Sequence, residues 1–212
     1  MLHGRHDGRD VVSDAAIAII DRETAYQGFF RIDRYRLRHR LYSGGWSGEL
    51  TREVFERGNA VAVLLYDPQR DALVLVEQFR LPAHLAGVPA WQLEIVAGII
   101  DQPGESAVDV VRREAKEEAG LAIEGEVLLI HRYLTSPGGS TETVSLYCGR
   151  VDAGDAGGIH GLADEQEDIK VVVKSYEDTM ALLRADKIDN GFTIVALYWL
   201  AATRERLRRE WR

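Results

Sequence analysis

Residues 98–120 read GIIDQPGESAVDVVRREAKEEAG, and this stretch combines a helix signal with a concentration of negative charge. Ser106 is placed to cap the start of a helix, and Gly120 is placed to end it. On that helix, Glu114 and Glu118 lie one turn apart on the same face. Like charges at this spacing cost an isolated helix a few tenths of a kcal/mol, about 0.2–0.5. The placement of the glutamates therefore needs an explanation beyond helix formation.

The glutamates lie at the edge of the apolar stripe of this predicted helix, whereas solvated charges are normally found on the opposite face. Gly98 permits a sharp turn that brings backbone carbonyl groups towards the same place. Partly buried oxygen ligands suit a hard divalent cation such as Mg²⁺ or Mn²⁺. The alternative is a solvated acidic face that is balanced by neighbouring basic residues. These basic residues are Arg112, Arg113 and Lys116.

The composition of the chain is that of a globular protein with a hydrophobic core. Of its 212 residues, 46% are apolar and 28% are charged. The net charge of −8 argues against a general binder of nucleic acids or of membrane surfaces. Cys148 is the single cysteine, which excludes an intrachain disulfide and fits a reducing compartment.

No segment of the sequence has the pattern of a membrane anchor or a signal peptide. The N-terminus, MLHGRHDGRD, is polar and lacks the apolar core of a signal peptide. The longest apolar stretch, residues 191–202, is too short to span a bilayer and is typical of a buried helix. We therefore expect a cytoplasmic protein without membrane association.

The N-terminal part of the chain is predicted to form a small β-rich unit, residues 1–57. Within it, residues 29–42 alternate so that four arginines lie on one face of a strand. These arginines are Arg34, Arg36, Arg38 and Arg40. The pattern favours a half-buried antiparallel strand with a solvated face, and a basic stripe for RNA is the alternative. Residues 43–58 supply a turn and a second strand.

The remainder, residues 58–212, alternates between predicted strands and helices. Strands are predicted at 59–67, 72–79, 91–98, 127–134, 143–151 and 169–174. Besides the helix that begins after Ser106, helices are predicted at 175–187 and from 193 to about 209. A polar, glycine-rich loop spans 152–168; long loops of this kind are usually functional or disordered. This mixed order predicts an α+β fold or an α/β/α sandwich.

From Glu105 onward, the string E-x7-R-E-A-x-E-E-x-G-L resembles the Nudix box, G-x5-E-x7-R-E-U-x-E-E-x-G-U, in which U is an apolar residue. The matching fixed positions are Gly98, Glu105, Arg113, Glu114, Glu117, Glu118 and Gly120. There are two departures: Pro103 is one additional residue in the loop before the helix, and Ala115 is small for its apolar position. The resemblance implies the Nudix α/β/α sandwich with a mixed sheet over residues 58–212. It also implies that Glu105 and Arg113 pair to hold the loop against the helix.

Other segments resemble bacterial ADP-ribose pyrophosphatases, in the same order and from about residue 16 to the C-terminus. They are RYRLRHRLYSG, REVFERGNA, LVEQFR, TSPGGSTE, GIHGLADEQEDIKV and KIDNGFTIVALYWL. The resemblance implies an enzyme that hydrolyses ADP-ribose to AMP and ribose 5-phosphate. It implies two to three Mg²⁺ ions, with Mn²⁺ as a substitute. It also implies a homodimer, which agrees with an N-terminal unit that is too small to fold alone.

The same resemblance assigns roles to individual residues. The implied metal ligands are the carbonyl group of Ala97 and the carboxylates of Glu114, Glu118 and Glu167, and the implied catalytic base is Glu165. Phe29 and Phe30 are implied to contact the adenine from the partner chain of the dimer. Further implied substrate contacts are Arg52, Glu53, Arg80, Ile99, Ser136, Gly138 and Glu142. Without the resemblance, the phenylalanines fit a core, the arginines fit a surface, and Ser136 and Gly138 fit a hairpin turn.

Three other functions stay open at this stage. The same chemistry on another nucleotide sugar, such as GDP-mannose, requires only different base contacts, because the fold does not determine the substrate. A module that senses ADP-ribose without cleaving it is expected to lack one or more box glutamates, and all of them are present. A relative that acts on RNA would use the arginine-rich strand, which the acidic total disfavours.

Overall fold

In the computed structural model of the protein, residues 16–102 and 104–211 are described, apart from the side chain of Glu165. The chain divides into two compact units, with one boundary after Arg57. Ser136–Thr141 belongs to the first unit, although the sequence placed it in the domain that runs from residue 58 to 212. Pro103, the additional residue of the box, lies outside the described residues.

The first unit contains a three-stranded antiparallel sheet in the order β1-β2-β3. Its strands are β1 (Ile17–Gln27), β2 (Arg31–His39) and β3 (Leu50–Glu56). The segment Ser136–Thr141 pairs with β3 through the backbone of Phe55, which donates its N–H to Gly139 over 2.7 Å and accepts the N–H of Thr141 over 3.3 Å. Pairing between residues far apart in sequence explains why the sequence did not assign this segment to the first unit.

Two of the four arginines on the predicted basic face, Arg34 and Arg36, are paired with acidic residues. Arg34 contacts Glu23 over 2.7 Å and Glu53 over 3.1 Å, and Arg36 contacts Glu49 over 3.0 Å. All of these side chains are substantially exposed, so each pair contributes about 0–1 kcal/mol to stability. The arginine face is solvated, as predicted, and the pairing of Arg34 and Arg36 with carboxylates lowers the positive charge that an RNA backbone would need.

The second unit contains a mixed eight-stranded sheet. Six strands follow the order β10-β11-β5-β4-β9-β8, while β6 pairs with β5 and β7 pairs with β4. The parallel pairing of β4 with β9 makes the sheet mixed. The strands are β4 (Ala60–Asp67), β5 (Ala72–Phe79), β6 (Trp91–Glu94), β7 (Val96–Ile99), β8 (Glu124–Leu134), β9 (Thr143–Arg150), β10 (Ile159–His160) and β11 (Ile169–Ser175).

The single strand predicted at 91–98 is two strands with different partners. Near their turn, β4 and β5 pair directly, as at Leu65 and Val74. Farther along, β6 pairs with β5 and β7 pairs with β4, so that the chain changes partners at Ile95. The apolar sequence pattern does not reveal this change of partner, because β4 and β5 are both buried strands. It places Glu94 and Gly98 at the middle of the sheet.

Helices cover both faces of the sheet in the second unit. They are α1 (Leu81–Leu85), α2 (Ala107–Ala119), α3 (Tyr176–Arg184) and α4 (Gly191–Glu210). Alternate residues of β4 enter two separate cores: Val63 packs in the core that includes residues of α2, and Leu64 packs in the core that includes residues of α3 and α4. Each buried aliphatic side chain of this size contributes roughly 1.5–3 kcal/mol. This arrangement confirms the predicted α/β/α sandwich.

The helices of the described residues give no sign of a membrane span. Within residues 16–102 and 104–211, none is both long and apolar enough to cross a bilayer. The start of α4 is apolar because Ala196, Leu197 and Leu200 are buried against the sheet.

Candidate active site

The capped ends of α2 determine where its glutamates lie. Ser106 accepts the N–H of Asp109 over 3.2 Å, and the Asp109 carboxylate accepts the N–H of Ser106 over 3.2 Å, which completes a capping box. Gly120 ends the helix in the left-handed region at φ 68°. The helix therefore has the extent that the sequence predicted, and its last two turns carry Glu114 and Glu118.

Arg113 joins the loop before α2 to the glutamates at its end. Its guanidinium contacts Glu105 over 3.1 Å, Glu114 over 2.9 Å and Glu117 over 3.0 Å. The hydrogen bond to Glu105 raises the pKa of Arg113, against the effect of burial, and the other two carboxylates add to the rise. The pairing of Arg113 with Glu105 agrees with the structural part that the sequence suggested. The positive charge of Arg113 also offsets some of the repulsion between the glutamates of the helix.

Glu118 is a buried carboxylate, with 4% of its surface exposed. It accepts the N–H of Ala97 over 3.2 Å, and it forms no ion pair with the residues that the structure describes. Burial raises the pKa of Glu118 to about 8; the hydrogen bond from Ala97 and the charge of Arg80 oppose the rise, and the charges of Glu114 and Glu167 add to it. An ionised carboxylate in this position is costly without a nearby cation.

Glu114 lies one turn before Glu118, and its carboxyl group packs directly against Gly98 of the sheet. Burial raises the pKa of Glu114 to about 7; Arg113 opposes the rise, and the charges of Glu117 and Glu167 add to it. A Cβ atom on Gly98 would overlap the carboxyl group of Glu114. Gly98 is not among the glycines with positive φ, so the expectation that it permits a sharp turn is wrong. The glycine is needed because the carboxyl group occupies the space of a side chain.

Glu167 reaches the same region from the long loop, whose base is anchored to the end of α2. Gly161 donates its N–H to the carbonyl of Glu117 over 3.2 Å. Glu167 accepts the N–H of Leu162 through its carboxylate over 3.1 Å and donates its own N–H to the carbonyl of Leu162 over 3.1 Å. The loop therefore folds back on itself, and the charge of Glu167 is within electrostatic range of Glu118.

The packing of His160 on Gly120 fixes the same anchor. A Cβ atom on Gly120 would lie 2.6 Å from Cε1 of His160, so only glycine leaves room for the ring. His160 also contacts the carbonyl of Gly157 over 2.8 Å through Nε2.

Glu165, the predicted base, has its backbone in a single 3-10 turn, Ala163–Glu165, and its side chain lies outside the described residues.

The carboxylates provide the chemistry of a divalent-cation site. Among the described residues, no three acidic, histidine or cysteine side chains converge closely enough to form a metal cluster by themselves. However, Glu114, Glu118 and Glu167 interact electrostatically, and the buried Glu118 forms no ion pair with the described residues. A hard divalent cation would supply the missing positive charge and prefers carboxylate and carbonyl oxygens. The residues therefore fit such an ion.

Three of the predicted substrate contacts belong to the second unit. Arg80 donates to one oxygen of Glu94, over 3.1 Å from Nε and 2.8 Å from Nη2. Burial lowers the pKa of Arg80, but the hydrogen bonds to Glu94, together with the charges of Glu94, Glu118 and Glu167, raise it overall. Arg80 therefore lies within electrostatic range of the carboxylates. The other two residues are Ile99, at the end of β7, and Glu142, which is buried and accepts a hydrogen bond from Thr135 over 2.8 Å.

The other predicted substrate contacts belong to the first unit. Phe29 is 87% exposed, which contradicts a core role for it, and its ring meets that of Phe30 edge-on at 4.8 Å. Arg52 is exposed, and its Nη1 donates to the carbonyl of Thr51 over 2.8 Å. The remaining members of this set are Glu53, which pairs with Arg34, and Ser136 and Gly138, which lie in a turn closed by hydrogen bonds to the Ser136 carbonyl.

Sequence reasoning missed Glu94. Its carboxylate is buried on β6, where it accepts hydrogen bonds from Arg80 and from Asn190. A signal was present, because Glu94 is the one acidic residue in the otherwise apolar WQLEIVAG. Acidic residues are almost never fully buried without a partner, so this position could have been singled out.

Comparisons with known proteins agree with this geometry. The NUDIX domain family model matches residues 56–125. The chain is 49% identical over 195 residues to the ADP-ribose pyrophosphatase of Escherichia coli (strain K12), covering 92% of each chain. It is 40% identical over 203 residues to the ADP-ribose pyrophosphatase of Haemophilus influenzae, covering 94% and 93%.

More distant similarities extend to a second substrate class and to a solved structure. The chain is 33% identical over 178 residues to the GDP-mannose pyrophosphatase of Yersinia pestis (strain Pestoides F), covering 84% of this chain and 87% of the relative. A crystal structure described as an ADP compounds hydrolase superposes with a TM-score of 0.66 at 22% identity, covering 92% and 96%. At that identity, the superposition supports the fold alone.

Proposed function

The chain belongs to the ADP-ribose pyrophosphatase family of Nudix hydrolases, and from this premise we propose that it hydrolyses ADP-ribose to AMP and ribose 5-phosphate. The observation that carries the proposal is the pair of partly or fully buried carboxylates on α2, Glu114 and Glu118, with Glu167 and Arg80 within electrostatic range of Glu118. The carboxylates can bind divalent cations, and the arginine can bind diphosphate oxygens. Both the cations and the anion of a metal–diphosphate substrate therefore have a binding partner. The identity of 49% to an ADP-ribose pyrophosphatase supports the choice of substrate.

The residues of the site bind and orient the substrate in this proposal. Glu114, Glu118, Glu167 and the carbonyl group of Ala97 would hold two to three Mg²⁺ ions, for which Mn²⁺ would substitute. When bound, these ions neutralise the diphosphate and make the attacking water more acidic. Arg80 donates charge-assisted hydrogen bonds to diphosphate oxygens.

Substrate choice is tested by comparing the turnover of three candidate substrates. Turnover of ADP-ribose, GDP-mannose and NADH is compared at equal concentrations with Mg²⁺, and products are identified by mass spectrometry in ¹⁸O water. We expect ADP-ribose to be preferred, with AMP and ribose 5-phosphate as products. The GDP-mannose alternative draws support from the relative at 33% identity. Faster turnover of GDP-mannose would replace the proposal by that alternative.

Glu165→Gln is expected to slow turnover by about 100-fold or more, because a positioned general base typically contributes 10²–10⁴-fold. The carboxylate of Glu165 takes a proton from the attacking water once its loop has closed over the substrate. Binding of Mg²⁺ and ADP-ribose, measured by calorimetry, should be retained. The neighbouring Asp164→Asn variant is the control, and turnover in Glu165→Gln equal to that of the control would remove Glu165 as the base.

A homodimer in which Phe29 and Phe30 contact the adenine of the partner chain's substrate is the second part of the proposal. Exposed apolar residues on the first unit support it, since contiguous apolar patches usually mark interaction surfaces. They are Ile17, Ile19, Ile20, Tyr26 and Phe29. Light scattering should give about twice the chain mass of 23.7 kDa. A mass near one chain would contradict the dimer.

A further inference from the structure

Glu94 is a buried carboxylate that has no part in the proposed chemistry. It lies on β6 with 4% of its surface exposed, directly opposite Val76 of β5. Residues opposite one another in an antiparallel pair share a face of the sheet, and Val76 belongs to the core that includes α2. Glu94 therefore faces the side of the sheet on which Glu114 and Glu118 lie.

Each oxygen of Glu94 is bonded to a different element. Oε2 accepts Nε and Nη2 of Arg80 over 3.1 and 2.8 Å, and Oε1 accepts Nδ2 of Asn190 over 3.1 Å. The side chain of Arg80 is 40% exposed, whereas that of Glu94 is 6% exposed. The carboxylate of Glu94 thus binds the Nε–Nη2 edge of the guanidinium, and the other edge can donate to a diphosphate oxygen.

Asn190 is itself held in a single orientation. It caps the start of α4, where its Oδ1 accepts the N–H of Thr193 over 2.9 Å and the hydroxyl of Thr193 over 3.0 Å. That hydroxyl accepts the N–H of Ile95 over 3.0 Å. Because the oxygen of the amide is used by the helix, its NH₂ group must face Glu94. The first turn of α4, through Thr193, is therefore hydrogen-bonded to Ile95, the residue that follows β6.

We propose that Glu94, supported by Asn190, is a positioning residue that holds Arg80 ready for the diphosphate; the inference rests on the proposed function. A free arginine side chain must be immobilised when it binds, which costs affinity. The bonds to Glu94 immobilise Arg80 before the substrate arrives. Glu94 does not touch the substrate and acts through Arg80.

The test is a double-mutant cycle on Arg80 and Glu94. Affinity is measured by calorimetry for the α,β-methylene analogue of ADP-ribose, which is not hydrolysed, and steady-state kinetics are measured on ADP-ribose. Arg80→Ala should weaken binding about 100-fold and Glu94→Gln about tenfold. In Glu94→Gln the change should appear mainly in KM, because positioning for binding is lost while the carboxylate set is retained. The double variant should bind no more weakly than Arg80→Ala alone.

Matched variants separate positioning from stability. Glu77→Gln, on β5, removes a carboxylate that pairs with Lys170 over 3.3 Å, and it should leave binding unchanged. Asn190→Ser retains an N-cap side chain but removes the NH₂ donor to Glu94, and it should weaken binding a few-fold. It replaces Glu94→Gln in the cycle if melting curves show that the latter does not fold.

The outcomes separate this inference from the proposed function. Wild-type protein that does not bind the analogue overturns both. Binding by wild type with additive losses in the cycle, or with unchanged affinity in Glu94→Gln, overturns the positioning role alone. A non-additive cycle with the loss in KM supports it.

Discussion

Glu118→Gln is expected to lower Mg²⁺-dependent turnover of ADP-ribose by more than 100-fold while the protein stays folded. Glu118 is the most deeply buried of the three carboxylates, and it has no ion pair among the described residues. Substitutions that merely neighbour a metal ligand cost about 10–100-fold, so loss of Glu118, if it is a ligand as proposed, should cost more. The amide keeps the size of the side chain and can still accept the N–H of Ala97.

The same substitution should change how the metal-free protein responds to pH. The pKa of Glu118 is about 8 in the folded protein against an ordinary value of 4.5. Between these values the folded protein retains a proton that the unfolded chain has released, so stability falls as pH rises through this window. Glu114, with a pKa near 7, acts in the same direction. Glu118→Gln should therefore lose less stability than wild type between pH 5 and pH 8.

The measurements are turnover with Mg²⁺ and thermal melting with a chelator at both pH values. Glu126→Gln is the control, because Glu126 is exposed and should affect neither result. Full turnover in Glu118→Gln would remove Glu118 from the metal site. Greater loss of stability than in wild type on going to pH 8 would contradict the burial argument.

Local signals in the sequence predicted the helix at the site but not its surroundings. Ser106 and Gly120 define the ends of α2 through contacts within a few residues, and such contacts can be inferred from sequence. The continuous apolar run of residues 59–67 likewise predicted a strand, and β4 is buried along its whole length. These features depend on short-range geometry, which is why the prediction and the structure agree.

Long-range pairing accounts for what the sequence did not predict. The pair between Arg80 and Glu94 depends on the insertion of β6 beside β5, and Asn190 reaches Glu94 from a helix 96 residues away. Hydrophobic periodicity carries no information on which buried strands become neighbours. The same limit explains why the sequence did not group Ser136–Thr141 with the N-terminal strands.

Gly98→Ala is expected to lower turnover by about 100-fold or more, because the added methyl group needs the space that the carboxyl group of Glu114 occupies. Both atoms cannot remain, and the flexible side chain of Glu114 is the part that moves. Gly98 is paired within β7, opposite Val61 of β4, and has no positive φ. Alanine therefore fits the backbone, and the fold should be retained with a loss that is confined to the site.

A cycle with Glu114→Ala tests this explanation directly. If Gly98→Ala acts by displacing Glu114, it should cause no further loss of turnover once the carboxylate has been removed. Gly48→Ala is the control, since a Cβ atom there would meet no atom within 4 Å and its φ is not positive. Additive losses in the cycle would show that Gly98 serves the backbone or another group. A non-additive result would identify the glycine of the box as the residue that makes room for a metal-binding carboxylate.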